Sequence, residues 1–308
     1  MNTIRPCGCK GVRTCLQCEQ DFNIEKPNPR KEYQKLEAWS WCIKCRRLYR
    51  GWNTQTIQAE HPLHGGENAL DLPGILVEER FLSPEEAEKT IADLDSLPWC
   101  ISQSGRRKQN FGPKTNFKKR KIQNGNFQGF PQTTQYIQQK LAQREVLKDF
   151  QTIEQCSLEY DPTKGASIDP HIDDCWIWGE RVVTVNCLGD AVLTLCLYQE
   201  VLDRDLNDIC KYNLDLVPTY EKHLLSPLLD KDELTIFQGK VIRIPMPNLS
   251  LIVLYGAARY QFEHSVLRED IDQRRVCVAY REFTPMYLEG GKSYEKGCEV
   301  TKNALEFW

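Results

Sequence analysis

Methionine and histidine are scarce, with three and five residues among 308. Charge of one sign is also lacking: the formal net charge is −3, which argues against an indiscriminate binder of polyanions. No apolar run approaches the length of a membrane span, so no membrane association is expected. Met1 to Lys10 hold Arg5, Cys7, Cys9 and Lys10 where a secretory leader would need an apolar core. A cytoplasmic and nuclear location is therefore expected, in which structural disulfides are rare. Internal repeats and low-complexity tracts are missing too. What remains is an ordinary globular composition, 41% hydrophobic and 27% charged with a mean hydropathy of −0.53, long enough for one large domain and a small appendage.

Against that background 14 cysteines stand out. Six lie in the first 45 residues, as Cys7-Gly-Cys9, Cys15-x-x-Cys18 and Cys42-x-x-Cys45. Two Cys-x-x-Cys knuckles offer Cys15, Cys18, Cys42 and Cys45 at a spacing used by structural zinc, which favours a closed tetrahedral sulfur shell. Cys7 and Cys9 could replace one knuckle, form a second site with His61 and His64, or stay unligated. The opposing view is a disordered tail with redox-active thiols. Residues 19–38 are rich in Lys, Glu, Pro and Asn, so a metal would be the main source of order there. The other eight, Cys100, Cys156, Cys175, Cys187, Cys196, Cys210, Cys277 and Cys298, read as small packing residues.

The chain divides into a Cys-rich segment (1–52), a polar linker (53–70) and a main domain (71–308). A strand at Gly74–Glu78 leads to Ser83-Pro84-Glu85-Glu86, a capping box that should open a helix running to about Leu97. A second helix is expected over Thr134–Asp149. From Ser96 to Arg144 there is no Asp or Glu, while Arg106, Arg107, Lys108, Lys114, Lys118, Lys119, Arg120 and Lys121 alternate with Phe111, Phe117, Phe127 and Phe130. Such a stretch can neutralise phosphates and stack on bases, dock an acidic protein surface, or simply be a solvated loop with tucked aromatics. Beyond Cys156, short apolar runs bounded by Gly, Pro, Asp or Asn predict an antiparallel sandwich or barrel. Residues 203–233 interrupt it as an acidic insertion on the rim.

Chemistry-bearing candidates are few. In His171-Ile172-Asp173, residues i and i+2 of an extended chain project to one face, so imidazole and carboxylate can share a cation. With His264 from another strand, the set would be a two-histidine, one-carboxylate site of the kind that holds non-haem iron. His223 lies in the polar insertion, and Asp174 has the wrong parity. Arg275 and Arg281 are six residues apart in a strand-like run, so both guanidinium groups face one way. They would need anionic partners: a bidentate dicarboxylate, or acids of neighbouring strands.

The ordered combination Leu158-Glu-Tyr160-Asp-Pro, His171-x-Asp173, Arg181-Val-Val-Thr-Val-Asn-Cys-Leu-Gly, His264 and Arg275-x5-Arg281 resembles the AlkB-type branch of Fe(II)- and 2-oxoglutarate-dependent dioxygenases over roughly residues 71–285. The Cys-rich start and the block Ser167–Arg181 most resemble the fourth-homologue group of animals. The resemblance implies a mainly β fold with flanking helices (α+β), a double-stranded β-helix or jelly-roll core carrying a small zinc-binding-like segment. It implies Fe(II) on His171, Asp173 and His264, 2-oxoglutarate held by Arg275, Arg281 and Tyr160, and O2 as the oxidant. The implied reaction converts 2-oxoglutarate to succinate and CO2 while hydroxylating an N-methyl group, which leaves as formaldehyde. Leu158 departs from the pattern, standing where many members have Asn. The basic stretch 96–144 would be the substrate-recognition lid. The resemblance carries two substrates, monomethyl-lysine of actin and N6-methyladenine of DNA, with the protein lysine ranked ahead because the net charge is not basic. Protein partners could bind through the Cys-rich segment. Two other classes stay open: a non-catalytic binding module, and a cupin-like hydrolase or isomerase, which would not need paired arginines.

Overall fold

The computed structural model describes residues 5–203 and 211–308. Helices α1 (Leu16–Asp21) and α2 (Pro29–Tyr33) precede a hairpin of β1 (Glu37–Cys42) and β2 (Arg47–Arg50), then α3 (Thr54–Ala59) and β3 (Ala69–Leu70). The expected linker is thus structured: Asn53 caps α3 by accepting from the N–H groups of Gln55 and Thr56. Ile57 anchors that helix against Cys42 and Tyr49. β4 (Ile75–Glu78) leads into α4 (Pro84–Ser96), whose capping box forms as expected, Ser83 and Glu86 each accepting the other's backbone N–H.

The acid-free stretch supplies β5 (Cys100–Ile101), β6 (Arg106–Phe111), the hairpin β7 (Lys114–Asn116) and β8 (Lys121–Gln123), and α5 (Gln135–Leu141). This helix stops short of Asp149; a single tight turn at Glu145–Leu147 replaces the rest. There follow β9 (Glu154–Tyr160), β10 (Ile168–His171), β11 (Trp178–Leu188), β12 (Ala191–Leu197), α6 (Glu200–Asp203), α7 (Lys231–Thr235), β13 (Lys240–Met246), β14 (Leu251–Leu254), α8 (Gly256–Tyr260), β15 (Phe262–Val266), β16 (Arg275–Phe283) and α9 (Tyr294–Asn303).

Strands β9 to β16 split between two facing sheets, in the orders β10-β15-β12-β13 and β14-β11-β16-β9. Eight strands shared in this way make a jelly roll. Alternation along the strands explains the packing. One face of each sheet, through residues such as Leu195, Ile242, Leu254, Phe262 and Cys277, fills the space between them. The other face of β11 and β16 buries Val183, Val185, Val276, Val278 and Tyr280 under Leu94, Ile137 and Leu141 of α4 and α5. Both faces are covered, which is why those strands read as near-continuous apolar runs.

Three expectations need correction. The first 52 residues are no loose appendage, because β1 pairs in parallel with β13 and prolongs the first sheet through β2 and β3. The insertion at 203–233 is more than a rim decoration: in its described part, Tyr212, Leu214, Val217 and Tyr220 pack on Ile172, Cys175 and Tyr198. Their apolar side chains outweigh the acids that coloured the sequence reading. Of the eight scattered cysteines, Cys156, Cys175, Cys187 and Cys277 are buried and Cys196 half-buried, but Cys100 and Cys298 are exposed, on an edge strand and on the solvent side of α9. Cys210 lies outside the described residues. Among the described residues no helix is long and apolar enough to cross a membrane.

Candidate metal and cosubstrate site

β10 and β15 are antiparallel neighbours in which His171 stands directly opposite His264. Cross-strand partners on one face must meet, and the two imidazoles lie 4.3 Å apart between ring centroids. His171 Nδ1 sits 2.9 Å from the carbonyl oxygen of Asp169. A carbonyl only accepts, so the proton is on Nδ1 and the Nε2 lone pair is free. Burial pushes both imidazoles below their usual range, furthest at His264, where His171 adds to the effect.

Asp173 is buried beside them. One carboxylate oxygen accepts from Arg281 Nη2 at 3.1 Å, whereas the other, Oδ2, has no partner. Burial alone would raise this carboxyl, but nearby positive charge, that of the Arg281 guanidinium foremost, outweighs it and holds it well below the ordinary range. A buried ionised oxygen without a partner is costly. With the two imidazoles nearby it makes a donor set of the kind that suits a divalent cation with open positions, although the three ligand atoms do not all lie within 4.8 Å of one another. Asp174, beyond the end of β10, accepts from Asn213 at 3.0 Å.

The arginine pair separates into two roles. Arg281 donates from Nη1 to Glu154 at 2.6 Å as well as from Nη2 to Asp173, so each of its terminal nitrogens is engaged by a carboxylate of the protein while Nε is left without a partner. Ion pairing with a neighbouring strand, one of the two readings open for it in the sequence, is what occurs. Arg275 is different. It is 1% exposed, its guanidinium lies 4.7 Å from the Tyr160 ring centroid, and its protein contacts are Asn186 Oδ1 at 2.8 Å and Met246 Sδ at 3.6 Å. No carboxylate is paired with it among the described residues, and its Nη1 has no partner. An unpaired buried cation of this kind is a ready receptor for an anionic ligand group. Tyr160, 1% exposed, has its phenol pushed up to about 12, first by burial, and it therefore stays a neutral O–H donor.

Leu158 is half-buried and packs against the main core beside Cys277, the residue it pairs with on β16. The polar contact to Arg275 comes instead from Asn186. That asparagine belongs to the quoted β11 motif, but sequence gave it no role; a buried Asn flanked by Val and Cys was the available signal. Its amide also donates to the carbonyls of Gly189, Met246 and Pro247, which fixes Oδ1 toward Arg275.

The basic stretch resolves by strand parity. Arg107 is tied to Glu159, which also binds Arg274, so part of its charge is neutralised at the surface. Arg106 and Lys108 lie on the other face of β6, opposite Tyr160 and Leu158 of β9. Arg106 Nε is buried without a partner, and its charge is felt at Tyr160, Cys277 and His171. Lys114, Lys118, Lys119, Arg120 and Lys121 are exposed on and around the β7–β8 hairpin. Beneath this hairpin is an open cavity of about 740 Å³, whose walls include Lys108, Lys114, Phe111, Phe117, Trp308 and Glu154. None of His171, Asp173 and His264 lines it; its nearest link to them is Glu154, which pairs with Arg281. Sequence reading assigned no role to Glu154 or Trp308. Glu154 looked like an ordinary strand-end acid, and only tertiary pairing brings Trp308 within 6.0 Å of Phe111 between ring centroids.

The N-terminal thiols form two groups, and the proposed shell of Cys15, Cys18, Cys42 and Cys45 does not assemble. Cys7, Cys9, Cys15 and Cys18 cluster together, while Cys42, Cys45, His61 and His64 cluster elsewhere. The hairpin turn between β1 and β2 carries its knuckle toward α3, away from α1.

No family model matches the chain. Among curated proteins it is 37% identical to "Alpha-ketoglutarate-dependent dioxygenase alkB homolog 4" of Mus musculus, over all of this chain and 96% of that protein. It is 36% identical to the Homo sapiens protein of the same name, over 99% and 95% of the two chains. A Caenorhabditis elegans "DNA N6-methyl adenine demethylase" is 28% identical over 96% of this chain and 93% of its own. Similar solved structures include a Pseudomonas putida prolyl-4-hydroxylase (13% identity, TM-score 0.37, covering 68% of this chain and 92% of that one). Another is the non-heme alpha ketoglutarate dependent epimerase SnoN (12% identity, TM-score 0.41, covering 68% and 78%).

Proposed function

The chain belongs to the alkB homolog 4 family of 2-oxoglutarate-dependent dioxygenases, and from that membership we propose that it removes a methyl group from the N6 position of adenine in DNA. His171, Asp173 and His264 would hold Fe(II), and Arg275 with Tyr160 would bind the far carboxylate of 2-oxoglutarate. When bound, iron and 2-oxoglutarate supply the oxidising chemistry that uses O2. The chain's own residues bind, orient and exclude water. Arg281 fixes one oxygen of Asp173 and leaves the other without a protein partner, free to bind the ion. Asn186 aims Arg275. Arg275 lies beside the buried core that contains Cys277 and Leu254, where low polarity strengthens its charge interactions. Structural zinc is assigned to the Cys-rich segment.

The observation that carries the substrate choice is the charge of the cavity wall. Lys108 and Lys114 line it, and its acid, Glu154, is already paired with Arg281. A methylammonium group entering there would meet two like charges and no free carboxylate. A flipped methylated base would instead bring phosphates toward Lys114, Lys118, Lys119, Arg120 and Lys121, with Phe117, 51% exposed, available for stacking. This reverses the order suggested by net charge, because the sum over the chain conceals a local excess of cations. The deciding experiment supplies iron, 2-oxoglutarate and O2 and compares an oligonucleotide carrying N6-methyladenine with an actin peptide carrying monomethyl-lysine. Formaldehyde from the oligonucleotide is expected. Release from the peptide alone would overturn the substrate assignment, and release from neither, with no 2-oxoglutarate consumed, would overturn the metal and cosubstrate assignments.

A further inference from the structure

Both N-terminal clusters bring four ligand atoms within 4.8 Å of one another. A tetrahedral zinc shell needs sulfur atoms about 3.8 Å apart, from Zn–S bonds of about 2.3 Å. All eight residues can therefore meet this geometry in two separate shells. In the first, Cys9, Cys15 and Cys18 are at most 1% exposed, and Cys7 Sγ lies 2.9 Å from Cys18 Sγ, well beyond a disulfide bond. In the second, Cys45 Sγ lies 3.1 Å from His61 Nδ1 and 3.3 Å from His64 Nδ1, and Cys42 Sγ lies 4.0 Å from His61 Nδ1. His64 is held by stacking on Tyr49 at 3.9 Å between ring centroids.

The two shells brace different parts of the molecule. The second closes α3 onto the β1–β2 hairpin at the edge of the first sheet. The segment around the first touches β10 and the turns flanking β10 and β15, the strands that carry the two candidate iron histidines. Directly after Cys18, Glu19 binds Arg268 at 2.7 and 2.9 Å, just beyond the end of β15 with His264. Lys26 binds Asp169 at 2.7 Å, and the carbonyl of Asp169 is the one that orients His171. On its other side, Gly8 lies so close to the turn before β6 that an added Cβ would stand 3.2 Å from the backbone of Ile101 and Ser102. Leu16 likewise fills the space beside Gly165, on the turn leading into β10.

We infer that the chain holds two zinc ions, one on Cys7, Cys9, Cys15 and Cys18 and one on Cys42, Cys45, His61 and His64, and that the first positions β10 and β15 for iron binding. This rests on zinc being the N-terminal metal, and the positioning role also rests on the iron assignment; the tests separate these claims. Glu19 and Lys26 act as positioning residues.

Purified full-length protein is analysed for zinc by native mass spectrometry and elemental analysis, and for Fe(II) affinity by anaerobic titration. Two zinc ions are expected, falling to one in Cys15→Ser with Cys18→Ser and to one in His61→Ala with His64→Ala. Fe(II) affinity should fall about tenfold in the cysteine variant, the scale of a lost outer-shell contact, and much less in the histidine variant. If the cysteine variant does not fold, Glu19→Gln with Lys26→Met provides the second arm: both zinc ions retained, Fe(II) bound about tenfold more weakly. A single zinc ion in the wild type, lost in both double variants alike, would mean a shared site and overturn the ligand assignment. Absence of zinc with disulfides in its place would overturn the metal itself. Two zinc ions with unchanged Fe(II) affinity in every variant would overturn the positioning role alone, and iron binding unaffected by Asp173→Ala would count against the iron assignment.

Discussion

Glu180 on β11 allows a stability change to be calculated before it is measured. One carboxylate oxygen accepts from the N–H groups of Leu225 and Gly256 at 3.0 and 2.9 Å, while the other is buried without a partner. Burial raises this carboxyl from its ordinary 4.5 to about 7, against the two N–H donors and Arg259, with Glu282 adding repulsion. The folded state therefore holds a proton that the unfolded chain releases between these values. Stability is greatest below the unfolded value, falls as pH rises toward the folded one, and is flat above it. The whole span amounts to about 3 kcal/mol, at about 1.4 kcal/mol per unit. Roughly 1.4 kcal/mol of it should fall between about pH 6 and 8.5 by the same linkage relation. Glu180→Gln keeps the accepting oxygen and cannot ionise. Urea unfolding of both proteins, zinc-loaded and in matched buffers, should therefore show the variant gaining on the wild type as pH rises across that range. Parallel curves would mean that Glu180 is already charged, or equally solvated, in the folded state.

Two further outcomes concern binding. Arg275→Leu removes the unpaired buried cation while keeping much of the packing over Tyr160. It should raise the Kd for 2-oxoglutarate roughly 30- to 100-fold, equivalent to a lost charge-assisted contact of about 2–3 kcal/mol, with Mn(II) binding unchanged by competition titration. Lys108→Ala with Lys114→Ala should weaken binding of a methylated single-stranded oligonucleotide and reduce the magnitude of its log–log salt slope by about 1.4, two contacts at about 0.7 each. An unchanged slope would remove those lysines from the phosphate path.

Much of the fold was legible because local signals agreed with the global one. The capping box at Ser83 and Glu86, the short bounded runs after Cys156 and the i, i+2 relation of His171 and Asp173 each depend on neighbours in sequence. What escaped depends on distant pairing. Apolar residues within an acid-rich segment, Tyr212 to Tyr220, became a cover for Ile172 and Cys175. Arg281 met Glu154 across a strand pair that composition cannot reveal. Spacing identified the knuckles but not which would combine, since that depends on where the β1–β2 turn and α3 carry Cys42, Cys45, His61 and His64. Polarity similarly hid the structured stretch after Asn53, whose helix is held by one cap and one buried isoleucine. Asn186 was visible as a residue and invisible as a partner until Arg275 was brought beside it.

The account depends above all on Asp173 joining His171 and His264 in a metal site that creates the 2-oxoglutarate site. The most direct measurement is calorimetric binding of 2-oxoglutarate to the full chain under anaerobic conditions, with and without Mn(II) as a redox-quiet stand-in, for the wild type and Asp173→Ala. Metal-dependent binding at one site per chain in the wild type, lost in the variant, is the predicted result. Equal binding in both proteins, or binding indifferent to the metal, would contradict it.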